Sequence, residues 1–270
     1  MNEKTVTSRD NRYVKQWRAL CRDARARRES GLFAIEGARL CGDALQSGCR
    51  PEVLLYTAAA REAYAAVVEP LAAAAVQAAE ITPELARSMA DTAHPQGVFC
   101  IVKSPDSLDN RLSLDKIDTM GRYGILEDIR DPGNLGTMIR TAEALGLGGL
   151  LLSEGCCDIY NPKVLRGSMG GVFRLPIGTV PALPETIAAL QSRGMTAFAC
   201  VVDPRAEPVN TAGIDSPGSL CVIGNEGSGL RPETTAACAR RVTIRMTGRA
   251  ESLNASLAAG IVMWEMTRPR

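Results

Sequence analysis

Apolar residues in this chain fall into short continuous runs separated by longer stretches spaced at three and four residues. That is the signature of strands alternating with amphipathic helices. From Tyr13 to Arg28 the spacing predicts one helix, with Val14, Trp17, Cys21 and Ala24 on its packing stripe. A strand over 33–36, a helix over 38–46 and a strand over 53–56 follow. An alanine-rich helix over 58–68, a strand over 76–81, a helix over 83–90 and a strand over 97–102 complete an α/β unit. Residues 105–120 are polar and turn-prone and divide the chain into an N-terminal domain of residues 1–104 and a C-terminal domain of residues 121–270. In the second half, segments 123–126, 134–146, 149–153, 162–169, 173–177, 184–193, 196–202, 219–224, 231–239, 241–245 and 252–267 alternate. Such alternation predicts an α/β fold with a mostly parallel sheet covered on both faces.

The stretch from Tyr123 to Ser153 organises the second half. A buried strand ends at Leu126, Asp131, Pro132 and Gly133 break it, and Asn134 is placed to cap a helix. Leu135, Met138, Ile139, Ala142 and Leu145 form the core face of that helix, while Arg140 projects from the opposite side beside Thr137. Taken alone, Arg140 is better explained as an ordinary solvated arginine.

Composition narrows the classes. The 270 residues are 46% hydrophobic and 23% charged, as expected of a water-soluble chain with a sizeable core. No apolar run reaches the roughly 20 residues needed to span a bilayer. The first residues lack the apolar segment of a secretory signal, so a cytoplasmic protein is expected. Nine cysteines, none in a C-x-x-C pair, and the single His94 argue against zinc or a disulfide framework, and no metal is expected. With one histidine, Ser-His-Asp and Cys-His hydrolase schemes would all need His94. Net charge is only +1, yet residues 9–28 carry eight Arg or Lys against Asp10 and Asp23. Lys15, Arg18, Arg22 and Arg25 repeat at helical spacing one residue on from the apolar stripe, a row suited to nucleic-acid phosphates or to a solvated helix face.

Two glycine- and polar-rich loops follow strands in the second half. Gly224 to Leu230 has P-loop spacing between Gly224 and Gly229, but Leu230 stands where that motif needs lysine. No G-x-G-x-x-G opens a helix after a strand. From this loop alone a ligand cradle and a plain turn are equally open. Met246 to Ser256 leads into the last helix. There Leu253, Leu257, Ile261 and Trp264 are expected to pack, and Ser252 is a natural N-cap.

Together these stretches resemble the SpoU/TrmH family of the SPOUT superfamily, RNA ribose 2′-O-methyltransferases that use S-adenosylmethionine. The carriers are Asn134-Leu-Gly-Thr-Met-Ile-Arg140, Gly224-Asn225-Glu226-Gly227-Ser-Gly-Leu and Ser252-Leu253-Asn254-Ala-Ser256, three motifs in the family's order. Lys163 to Ser168, His94 to Val98, and Thr7 to Gly37 also fit. One departure is Arg245, where the family usually has proline between Ile244 and Met246.

The resemblance implies a C-terminal SPOUT-type parallel sheet with a deep trefoil knot, a smaller N-terminal α/β RNA-binding domain, and a homodimer with its site near the interface. An open apolar face on the last helix would be compatible with the dimer. It implies Arg140, Asn134, Glu226 and Asn254 as the catalytic set, and Gly224, Ile244, Met246 and Leu253 as contacts to the methyl donor. Lys15, Arg18, Arg22 and Arg25 become candidates for RNA binding. The expected partner is RNA, ribosomal RNA in preference to tRNA, with no membrane. The alternatives are an RNA base methyltransferase of the same superfamily and a non-catalytic RNA-binding protein of ribosome assembly.

Overall fold

In the computed structural model, which describes residues 5–103 and 112–268, the basic N-terminal stretch forms two helices, α1 (Arg12–Arg22) and α2 (Ala24–Ser30). The single helix expected over 13–28 is broken at Asp23. That residue is extended, at φ −121°, and its side chain accepts from the Arg25 N–H, which caps the second helix. Val14, Trp17 and Leu20, rather than Cys21 and Ala24, make the fully buried stripe.

The chain forms two compact units, Met1–Leu108 with Tyr160–Arg166, and Asp109–Ile159 with Gly167–Arg270. In the first, β1 (Leu32–Glu36), α3 (Ala38–Gln46), β2 (Pro51–Tyr56), α4 (Ala58–Ala63), α5 (Ala65–Ala74), β3 (Gln77–Glu80), α6 (Pro83–Met89) and β4 (Val98–Lys103) follow α2. The sheet order is β1-β4-β2-β3. β4 runs antiparallel to both its neighbours, and β2 and β3 are parallel. Trp17 meets Phe99 edge to face at 5.2 Å, tying α1 to the sheet. The alanine-rich helix is two helices, divided at Tyr64.

The second unit contains β5 (Tyr123–Leu126), α7 (Pro132–Ala144), β6 (Gly149–Ser153), α9 (Gly171–Arg174), β7 (Ile177–Val180), α10 (Leu183–Ser192), β8 (Thr196–Cys200), β9 (Glu207–Pro208), β10 (Ser219–Ile223), α11 (Pro232–Ala237), β11 (Arg240–Thr243) and α12 (Ala255–Thr267). The remaining helix, α8 (Pro162–Ser168), falls between α7 and α9 in the chain. Seven strands pair in parallel in the order β7-β6-β5-β10-β8-β11-β9. Strands β5, β6 and β10 are buried at every position, as expected where a sheet is covered on both faces. Expected as a strand, 173–177 instead begins in a helical turn, and the strand there is β7, starting only at Ile177. β9 has too few residues to show a period.

The structure departs from the expected pattern at two further places. Residues 105–111 of the expected linker lie outside the described residues. The part from Leu112 onward is packed: the Leu112 N–H donates to the Ile177 carbonyl at 3.2 Å, and Leu112 and Ile117 are buried in the core with Ile125, Leu151 and Val222. Its polar residues hid two apolar anchors. On α12 the buried residues are Ala259, Val262, Met263 and Met266, whereas Leu257 and Trp264 are 55% and 52% exposed. This helix is apolar nearly all round, so spacing alone cannot choose between its stripes.

Because every strand of the sheet runs the same way, the loops after β5, β8, β10 and β11 leave from one edge. That edge is where ligands of open parallel sheets bind.

Candidate active site

Helix α7 is capped by Asp131, not Asn134. The Asp131 carboxylate accepts from the Asn134 N–H at 2.8 Å, and Pro132 occupies the first turn, where no N–H is needed. The Asn134 side chain is thereby released for another task. Its Nδ2 donates to Glu226 Oε1 at 3.1 Å, and its Oδ1 accepts from Asn254 Nδ2 at 3.0 Å. Asn254, rather than Ser252, caps α12: its Oδ1 accepts from the N–H groups of Ser256 at 2.9 Å and Leu257 at 3.2 Å. Asn134 in the first turn of α7, Glu226 in the loop after β10 and Asn254 at the cap of α12 thus form one continuous chain of hydrogen bonds.

The chemistry of its ends fixes the direction of this chain. An ionised Glu226 only accepts, so Asn134 must turn its NH₂ toward it and its carbonyl toward Asn254. The Asn254 carbonyl is occupied by helix N–H groups, so its NH₂ faces Asn134. Each amide keeps one N–H hydrogen without a partner among the described residues. What the pair offers a ligand is donors, fitted to an oxygen lone pair.

Glu226 is itself fully engaged. The Asp131 and Arg130 N–H groups donate to it at 3.1 and 3.3 Å, and Asn225 Nδ2 at 3.3 Å. Burial alone would raise its pKa. Its own backbone N–H, the Asn134 amide and the Asp131 and Arg130 N–H groups outweigh burial and hold it below the ordinary 4.5. Such a carboxylate orients its neighbours and has no lone pair left for a substrate proton.

The loop from Gly224 to Leu230 is closed by reciprocal backbone bonds between Asn225 and Gly229, both 3.0 Å. Asn225 Oδ1 accepts from the Gly227 and Ser228 N–H groups at 2.9 and 3.1 Å. A Cβ on Gly224 would lie 2.2 Å from the Gly229 carbonyl carbon, so any other residue there would force the loop apart. Spacing could not reveal Asn225 as the loop's organiser, because an asparagine in a glycine-rich turn is ordinary.

This loop forms one wall of a cleft of about 390 Å³, within the usual range for small-molecule sites. Gly224, Ile244, Met246 and Leu253 all line it, with Ile223, Val242 and Val262 supplying further apolar surface. Apolar walls beside open backbone suit the flat face and polar edge of a purine, so the residues present fit S-adenosylmethionine. Among the described residues no group of His, Cys, Asp or Glu is arranged to hold a metal ion. No helix there is long and apolar enough to cross a membrane.

The remaining candidates lie apart from this network. Arg140 is exposed, six residues or about 9 Å along α7 from Asn134, with no hydrogen bond or ion pair among the described residues. Arg245 is exposed while Ile244 and Met246 on either side line the cleft, so it leaves the wall in place. In the N-terminal unit the basic row is not a single row. Lys15 pairs with Asp10 at 2.9 Å, Arg18 donates to the Ser88 side chain at 3.2 Å, and Arg25, beyond the helix break, pairs with Glu29 at 2.6 Å. Arg22 alone of the four is exposed with no such partner among the described residues.

Comparison with known proteins bears on both units. Residues 122–264 match the model of the SpoU rRNA Methylase family, and residues 11–100 match the MRM3-like substrate binding domain. The chain is 31% identical to a 23S rRNA uridine 2′-O-methyltransferase of Streptomyces viridochromogenes, over 98% of this chain and 92% of that one. It is 27% identical to the 23S rRNA guanosine 2′-O-methyltransferase RlmP of Bacillus subtilis, over 97% and 99%. Among solved structures, an AdoMet-bound rRNA methyltransferase from Sinorhizobium meliloti superposes with a TM-score of 0.84 at 30% identity, covering 98% of this chain and 97% of that one.

Proposed function

The chain belongs to the SpoU rRNA methylase family, and from that premise we propose that it methylates a ribose 2′-hydroxyl of ribosomal RNA with S-adenosylmethionine. The observation that carries this reading is the hydrogen-bonded chain Glu226, Asn134, Asn254 beside the cleft, which presents amide donors to a ligand oxygen. When bound, S-adenosylmethionine supplies a methyl group on a cationic sulfur. Gly224, Ile244, Met246 and Leu253 would hold it, and Asn134 and Asn254 would donate to ribose or phosphate oxygens and so orient the 2′-oxygen. A new O–CH₃ bond forms as the S–CH₃ bond breaks, and the hydroxyl proton leaves to water. Glu226 is not its acceptor. Arg140 is always cationic, and its part is to fix a phosphate and favour the developing alkoxide by charge.

We also propose a homodimer built on α12, supported by the exposed apolar side chains of Leu257 and Trp264. A trefoil knot in the C-terminal unit belongs to the same reading, as does RNA binding by the N-terminal unit. The test is a map of 2′-O-methylation in ribosomal RNA from cells with and without the protein. One ribose should lose its methyl group, and the purified protein should restore it to a transcript carrying that ribose but not its 2′-deoxy counterpart. An unchanged map, or methylation of the deoxy transcript, would overturn the reading.

A further inference from the structure

The glycine-rich loop is tethered from below by residues that do not line the cleft. At its start, Asn225 Nδ2 donates to the Asp128 carbonyl at 2.7 Å. At its end, Leu230 is followed by Arg231, whose guanidinium donates to Asp128 Oδ2 at 2.6 Å and whose N–H donates to the buried Glu127 at 2.8 Å. Asp128 therefore holds both ends. Among the described residues it is one of two non-glycine residues with positive φ, at 52°, a conformation that aspartate tolerates better than most residues. Its other carboxylate oxygen accepts from Ser153 Oγ at 2.7 Å, and its N–H donates to the same hydroxyl at 2.9 Å. The turn is thus fixed before the loop is attached to it.

We propose that the Asp128–Arg231 ion pair is a positioning device for the donor-binding loop, setting affinity for S-adenosylmethionine without touching it. This rests on the assignment of the cleft to that donor. Between its tethers the loop holds two glycines, and Asn225 and Glu226 fasten its first half, so its second half, Gly227 to Leu230, relies on the Asn225–Gly229 bonds and on Arg231 for a single conformation. A loop that spends only part of its time closed binds its ligand more weakly by that fraction. Arg231 is half exposed, so losing the pair costs little global stability and is felt instead in the loop.

The experiment is calorimetric titration of the full chain with S-adenosylmethionine, using Arg231→Ala, Asp128→Asn and the double variant. Asparagine tolerates the positive φ, keeps the carbonyl for Asn225 and a side-chain oxygen for Ser153, and turns an NH₂ toward Arg231, so that both the charge and the acceptor of the pair are lost. Each single change should weaken binding about three- to sixfold, the double variant no more than the worse single, and Arg231→Lys should recover part of the loss. Thermal midpoints without ligand should stay close to that of the parent. Donor affinities within twofold of the parent in both single variants, or losses that simply multiply in the double, would overturn the proposal. A parent chain that does not bind S-adenosylmethionine would defeat the functional reading as well, whereas a binding parent with unaffected variants defeats only the ion pair.

Discussion

Arg140 and Glu226 sit at opposite ends of the range of engagement a charged residue can have, and opposite tests follow. Arg140 touches none of the buried α7 residues' space, since Leu135, Met138, Ile139 and Ala142 fill the other face. Arg140→Ala should shift stability by less than about 0.5 kcal/mol and leave donor affinity near normal, because the cleft does not include it. Methyl transfer to RNA should fall on the order of a hundredfold or more. A well-folded variant with full turnover would return Arg140 to the solvated residue its exposure describes. Glu226, in contrast, accepts from Asn134, Asn225, Arg130 and Asp131, and a glutamine there would point an NH₂ group at donors. Glu226→Gln should cost about tenfold or more in rate, since leaving such donors unpaired costs about 1–3 kcal/mol. The pH dependence follows from the depressed pKa. Stabilisation from the charged carboxylate is complete above the ordinary 4.5 and is lost as pH falls below it through the folded value. A donor-saturated rate profile should therefore show no limb from Glu226 above pH 4.5, and a limb near neutrality that vanished in Glu226→Gln would contradict its assigned role.

At the scale of elements, the sequence was most legible where one face of a helix is polar and least where it is not. Helix α7 buries Leu135, Met138, Ile139 and Ala142 as its spacing predicts, with Leu145 only half-buried at the C-cap, because Thr137, Arg140 and Glu143 leave only one apolar stripe. Helix α12 offers two, and packing chose the one through Val262 and Met263. The unburied stripe then supports a separate expectation. Trp264→Asp should convert a dimer to a monomer in sedimentation while leaving circular dichroism unchanged, whereas Met263→Ala, a core truncation, should cost about 2–5 kcal/mol. A parent chain that sediments as a monomer would remove the dimer. Helix α1 shows the reverse failure, in which a periodic row ran through a residue that ends the helix. Asp23 is a weak helix former and a strong cap, but a smooth spacing on either side concealed the break. Since Lys15, Arg18 and Arg25 already have partners, Arg22→Ala alone should reduce the salt slope of RNA binding, by up to about one unit. An equal reduction for Arg25→Ala would mean that its pairing with Glu29 gives way to phosphate.

Across the whole chain, the polar stretch after Lys103 interrupts the alternation of elements and suggests the division at residues 105–120, but which of those residues pack against a core is not legible. Polarity averages over a window, and in residues 112–120 the charged and hydroxylated side chains outvote Leu112 and Ile117. Burial depends instead on whether a few side chains reach a core. Both do, at 8% and 3% exposure, and Arg193 fastens the turn between them by donating to the Leu114 and Ile117 carbonyls at 2.5 and 2.7 Å. The site was hidden for a related reason. From the residues alone Asn134 reads as the cap of α7 and Ser252 as that of α12, and only the fold shows that Asp131 and Asn254 take those caps and leave the Asn134 amide free to join Glu226. The packed segment gives a test at the same scale. A fragment of residues 119–270 keeps every strand of the parallel sheet and every residue lining the cleft, yet it lacks Leu112, Ile117 and the carbonyls that hold Arg193. Each buried aliphatic side chain contributes about 1.5–3 kcal/mol, a large share of a domain stability of about 5–15 kcal/mol. The fragment should therefore unfold roughly 10 °C below one spanning residues 109–270. At low temperature both should bind S-adenosylmethionine with similar affinity. Equal midpoints would show that the segment is carried by the second unit without supporting it, while a loss of donor binding in the folded shorter fragment would mean that the cleft depends on this remote packing.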